Sequence, residues 1–269
     1  MRILVVGGSG FLGGEIVRQA AAGGHVVAAT YLSNPGPPDL AGWRPLDLRD
    51  RTAVTETIRE TAPDVVVNAA YRQSDWPTTA DGAAHVAAAA TGRRLVHVSS
   101  DAVFSGAAVT YAEEAIPDPV YPYGAAKAAA ETAVRAVDPT AVIARTSLIV
   151  GDGGSPHERL VHSLAGGAPG ILFTDAVRCP VHVRDLAAAL LELADSDRSG
   201  IHHVAGADAV SRHELGILIA RRDGLDETRL TPGRCADVGF TGPRDVRLDC
   251  AQTQRHLKTR LRGAREFVA

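Results

Sequence analysis

Ile3-Leu4-Val5-Val6-Gly7-Gly8-Ser9-Gly10-Phe11-Leu12-Gly13 runs from an apolar strand pattern through a glycine-rich turn into a helical pattern. Glycine at 7 permits a tight turn, at 10 a close backbone approach to a diphosphate, and at 13 close packing of helix on strand. The helix N-terminus then offers unpaired N–H groups and a partial positive charge. The expected phosphate loop of a dinucleotide therefore comprises Gly7, Ser9, Gly10, Phe11, Leu12 and Gly13.

Working outward, β-branched runs at 3–7, 26–30, 65–68, 95–99 and 141–145 alternate with helical patterns at 12–22, 52–61, 80–90 and 123–137. Continuous apolar strands in series with helices predict an α/β doubly wound parallel sheet, covered on both faces. Beyond Gly151 the regularity weakens, with a strand expected near 171–174 and helices near 184–194, 212–221 and 250–261. The expected division is a dinucleotide-binding domain over 1–150. A mainly substrate-binding lobe follows over 151–269, interleaved with the last sheet strands.

NAD-selective folds of this kind usually place a carboxylate after the second strand. Here the stretch reads Ala28-Ala29-Thr30-Tyr31-Leu32-Ser33, which leans toward NADPH or a site that also accepts NADH. Thr30 is expected at the cofactor. Asp47-Leu48 closes the next short run; Asp47 either bonds the adenine amino group or caps the following helix.

The chain has 269 residues, 45% of them apolar, and a formal net charge of −3. Its arginines are spread along the sequence, so no basic stripe for nucleic acid is expected. No stretch approaches a membrane span and no leader pattern opens the chain, so a cytoplasmic protein is expected. Cys179, Cys235 and Cys250 are odd in number and widely spaced, as reduced thiols would be. No metal-ligand spacing is present. His202-His203 lie in a strand pattern, which predicts one buried and one exposed imidazole.

Two lysines occur, and Lys127 follows Tyr123 by four residues. On a helix these share one face. A neighbouring ammonium favours the phenolate and pulls a tyrosine's pKa down from about 10, as a general acid requires. Ser100 closes the strand pattern Leu95-Val96-His97-Val98-Ser99-Ser100. Ligands of doubly wound folds gather at the carboxyl ends of strands, where a hydroxyl can stabilise a developing alkoxide.

With Asn68-Ala69-Ala70, Ser99-Ser100-Asp101-Ala102-Val103-Phe104, Tyr123-Gly-x-x-Lys127-x-x-x-Glu131 and Arg145-Thr146-Ser147, these motifs resemble the extended short-chain dehydrogenase/reductases. Within that group they resemble the dTDP-4-dehydrorhamnose reductases. Cys179-Pro180-Val181-His182-Val183-Arg184-Asp185 and Gly242-Pro243-Arg244 continue the likeness. The resemblance implies a Rossmann fold and an NAD(P)-dependent oxidoreductase acting on nucleotide-linked 4-keto-6-deoxy sugars. It implies Ser100, Tyr123 and Lys127 as the catalytic set. Asp47, Leu48, Asn68, Ala69, Ala70, Ser99, Tyr123 and Lys127 would contact the cofactor. Asp101 would face substrate, and Arg72 and Arg178 would clamp its diphosphate. A homodimer is the family habit.

The chain departs from that pattern at Leu148, where a Trp is common, and at 81–84, where a common asparagine is absent. Asp101 is followed by Ala102 rather than by the glutamate of the dehydratases. An epimerase remains an alternative. So does an NADP-binding regulatory subunit like that of methionine adenosyltransferase.

Overall fold

The computed structural model describes residues 1–268, and these fall into two compact units. The first comprises Met1–Ser100, Pro122–Arg145 and Ala187–His202. Its sheet has seven strands: β1 (Arg2–Val6), β2 (Val26–Tyr31), β3 (Gly42–Pro45), β4 (Val65–Asn68), β5 (Arg94–Ser100), β6 (Val142–Thr146) and β7 (Gly200–His203). They lie in the order β7-β6-β5-β4-β1-β2-β3. β1 pairs in parallel with both β2 and β4, and β4 pairs in parallel with β5. The Val65-Val66-Val67-Asn68 run is buried at every position, as a strand covered on both faces must be. The chain leaves β1 toward β3 and returns on the other side at β4. That reversal is where such folds form their ligand crevice.

Helices α1 (Phe11–Ala22), α2 (Arg51–Thr61), α3 (Gly82–Ala89) and α4 (Pro122–Val137) connect these strands. Val54, Ile58, Val86 and Val134 from the last three pack with Leu4, Val66, Leu95 and Ile143 of the sheet in one apolar core. A single wider helical turn, Pro77–Asp81, precedes α3.

The second unit comprises Asp101–Tyr121, Thr146–Leu186 and the chain from His203 onward. Its strands are two-residue pairs, among them Ile149–Val150 beside Val181–His182 and Val177–Arg178 beside Val210–Ser211. Helices Pro156–Ala165 and Arg212–Arg222 bury Val161, Leu164, Leu215 and Ile219 together. Ser155 and Glu158 form a reciprocal cap on the first of these helices.

Two expectations are corrected. The helix expected over 250–261 is only Ala251–Gln254. The Gln254 side chain accepts from Leu261 N (2.9 Å) and donates to Thr259 O (2.9 Å), taking backbone groups that a longer helix would have paired. His202 and His203 are both buried, at 7% and 0% exposure. Alternation does send them to opposite faces, but both faces are covered.

Val109 adopts φ +64°, a conformation that costs a β-branched residue about 1–3 kcal/mol. Its side chain is 37% exposed, so little packing is at stake. Val109→Gly is expected to raise stability by about 1 kcal/mol, or roughly 2–4 °C in Tm by calorimetry.

No helix among the described residues is long and apolar enough to cross a membrane. No group of three or more His, Cys, Asp or Glu among them could hold a metal ion.

Candidate active site

Gly7 turns the chain out of β1 at φ +80°, and Gly10 N donates back to Gly7 O at 3.0 Å. A Cβ at Gly13 would stand 2.1 Å from that same oxygen, so only glycine lets α1 start here. Gly10 caps α1 without any side-chain bond, and the first turn carries no acidic residue. Its first N–H groups are thus left for an anion. Ser9 and Gly10 are exposed, Phe11 is half-buried and Leu12 is buried. Residues 7–13 fit the diphosphate of a dinucleotide.

The other expected cofactor residues frame this loop in different ways. Thr30 is 2% exposed, and its hydroxyl accepts from Gly7 N at 3.0 Å, so it shapes the loop from behind. Asp47 does not cap α2; Asp50 does, accepting from Ala53 N. The Asp47 carboxylate forks with Arg49 at 2.6–3.0 Å, which lowers its pKa. Leu48 belongs to the apolar core. Asn68 is 1% exposed; its amide oxygen accepts from Ala70 N (3.2 Å), and its nitrogen lies 3.3 Å from His97 Nδ1. Ala69 N donates to Val6 O, and Ala70 presses on Gly7. The carboxyl ends of β1 and β4 are therefore locked together behind the loop.

Tyr123 and Lys127 lie one turn apart in the first half of α4. Lys127 is 3% exposed, and its ammonium donates to Val98 O of β5 at 2.9 Å. Burial lowers the Lys127 pKa to about 8, and the nearby Glu131 carboxylate partly opposes that fall. Two residues beyond Val98, β5 ends in Ser100. Helix and strand thus bring Tyr123 and Lys127 to the strand end that carries the hydroxyl. His97, on the same strand, is held near pKa 3 by burial and by the Lys127 charge, so it stays neutral at working pH.

Two sets of contacts in the site depend on the folded chain. Ser99, expected at the cofactor, is 2% exposed and directs its hydroxyl to Glu131 (2.5 Å), which also takes Arg145 in a fork at 2.8–3.2 Å. Tyr123, Lys127 and Glu131 recur at four-residue spacing, and that signal was legible. The second is Tyr71, whose ring lies 5.7 Å from that of Tyr123 and 5.0 Å from the Lys127 ammonium. Arg72, next to it, is exposed and anchors its backbone through the Thr79 hydroxyl.

Asp101 and Arg178 belong to the second unit. They form a buried pair at 3.5 Å, with Ser147 Oγ donating to Asp101 at 2.7 Å. Arg178 also donates to the carbonyls of Val177, Arg244 and Pro243 at 2.6–2.9 Å. These bonds take up three of its five N–H groups. Arg212, not singled out in the sequence, lies near both and donates to His157 Nδ1 at 3.2 Å. Burial and the Arg178 charge bring its pKa down to about 10.

Residues 1–269 match the family described as the RmlD substrate binding domain. A probable low-salt glycan biosynthesis reductase of Haloferax volcanii is 32% identical over 96% of this chain and 92% of its own. The beta subunit of methionine adenosyltransferase 2 from Xenopus laevis is 29% identical over 94% of this chain and 82% of its own. Among solved structures, a hypothetical dTDP-4-dehydrorhamnose reductase from Sulfolobus tokodaii aligns with a TM-score of 0.83 at 30% identity, covering 97% of both chains.

Proposed function

The chain belongs to the RmlD substrate binding domain family, and on that premise we propose that it is an NAD(P)H-dependent reductase. Its substrate is a keto group on a nucleotide-linked deoxysugar or a related polar ketone. The observation that carries this reading is the buried Lys127 ammonium, fixed on β5 one turn from Tyr123. Similarity to reductases over nearly the full chain supports it.

Residues 7–13 hold the cofactor diphosphate, and Asn68, Ala69 and Ala70 wall the same crevice. A reduced nicotinamide held there would supply the hydride. Tyr123 gives its proton to the substrate oxygen as the alkoxide forms. Lys127 favours the resulting phenolate by its charge and holds the cofactor ribose. Ser100 donates to the same oxygen and orients the carbonyl. Asp101, Arg72, Arg178 and the less committed Arg212 are the groups assigned to the substrate, the arginines to its diphosphate.

Lys127→Ala is expected to lower kcat about a hundredfold with the fold intact, because Glu131 keeps Arg145 as its ion-pair partner. In the unsubstituted protein the ammonium is present below pH about 8 and lost above it. kcat/KM should therefore fall as pH rises through that value, and a pH–rate profile checks it. The direct test of the function is NADPH oxidation with a panel of nucleotide-linked 4-keto sugars. The similarity to the methionine adenosyltransferase subunit favours one second reading, a cofactor-binding regulatory subunit. Tight cofactor binding with no turnover across the panel would select it.

A further inference from the structure

Tyr71 is an unusual aromatic for its position. It is 53% exposed, so no core packing holds its ring. What the ring touches is the proposed catalytic pair: Tyr123 at 5.7 Å between centroids, tilted by 41°, and the Lys127 ammonium 5.0 Å from its centre. Its hydroxyl has no hydrogen-bond partner among the described residues. The backbone beneath it is fixed. Ala70, the preceding residue, is held by Asn68 and pressed against Gly7 of the phosphate loop. One residue thus joins the loop to the pair.

We propose that Tyr71 is a positioning residue of the Tyr123–Lys127 pair, its ring seating the ammonium and bracing the phenol. This rests on the reductase reading for its consequence, though not for the contact itself. Lys127 lies almost entirely out of water, and few groups offset the cost of holding its charge there. Glu131 and Tyr123 belong to its own helix, the His97 imidazole and the Val98 carbonyl to β5, and the Tyr71 ring to the segment after β4. An aromatic face within about 6 Å of a desolvated ammonium attracts it through the ring quadrupole. A tilted aromatic pair at this separation also favours one phenol orientation.

Tyr71→Leu keeps an apolar cover of similar reach and removes the π face; Tyr71→Phe keeps the face and removes the hydroxyl. Only Lys127 and Lys258 contribute lysine signals, so lysine-labelled NMR resolves both. At about pH 6, where both are charged, the Lys127 ε-methylene should lie upfield of that of the exposed Lys258 through the ring current. Tyr71→Leu should abolish that displacement and lower the Lys127 pKa by roughly half a unit to one unit. Its kcat should fall about tenfold, while Tyr71→Phe matches the parent in every readout. The proposal is overturned if the displacement is missing from the parent, if Tyr71→Leu and Tyr71→Phe have equal kcat, or if Tyr71→Leu leaves the Lys127 pKa in place. Tyr123→Phe is run alongside. Should it turn over like the parent, the reductase reading falls, and the NMR arm still decides whether Tyr71 seats Lys127.

Discussion

Tyr123→Phe is expected to lower kcat by about two to four orders of magnitude while leaving cofactor affinity and Tm where they were. The change deletes one oxygen from a half-buried ring near the start of α4. The Tyr71 ring contact survives, because it involves the aromatic face. The Lys127 bond to Val98 also survives, because it is made on the strand side of the helix. On the proposed mechanism, what is lost is the proton that Tyr123 would deliver to the substrate oxygen. Steady-state kinetics combined with a cofactor titration separates this outcome from a folding defect. Loss of Kd and kcat together would mean that Tyr123 is holding the site in shape.

The largest stability effect is expected at Glu131, where α4 is tied to the sheet. Arg145 is 0% exposed and Glu131 is 3% exposed, with 2.8 Å between Arg145 Nη2 and Glu131 Oε2. Ser99 gives the same carboxylate a third donor. Removing one partner of such a pair leaves a charge in a medium that cannot solvate it, at a cost of about 3–5 kcal/mol. Glu131→Ala should therefore destabilise the protein by that amount, with a Tm lower by roughly 10 °C or more. The double change Glu131→Leu with Arg145→Met removes both charges and should recover much of the loss. Denaturant titration of the singles and the double measures it. If Glu131→Ala costs less than about 1 kcal/mol, the pair does not anchor the helix.

The parts of this fold visible in the sequence are those decided by local pattern. Val65-Val66-Val67 reads as a strand covered on both faces, and Gly7 and Gly13 mark a turn at which a Cβ has no room. β3 carries no strand signal because Gly42-Trp43-Arg44-Pro45 has the composition of a loop; at the edge of a sheet a proline is tolerated. The two-residue strands of the second unit are too short to carry any period. In the site, the Tyr123–Lys127 spacing was legible because a helix fixes it. Glu131 with Arg145 was not, since their meeting depends on how α4 lies across β6. Nor was the commitment of Arg178 to three carbonyls, which only the folded chain supplies. The sequence allows Asp47 to be either ligand or cap, and in the fold Asp50, three residues on, meets the α2 N–H groups.

The central claim is that Tyr123, Lys127 and Ser100 direct a hydride from a nicotinamide onto a substrate ketone. Incubation with NADPH deuterated at the transferring position and a nucleotide-linked 4-keto-6-deoxy sugar, followed by mass spectrometry of the product, tests it most directly. The account predicts a product alcohol carrying one deuterium at the former carbonyl carbon with the parent protein, and almost none with Tyr123→Phe. A parent protein that binds the cofactor yet leaves every such ketone unlabelled, or a Tyr123→Phe variant that labels it equally fast, would contradict it.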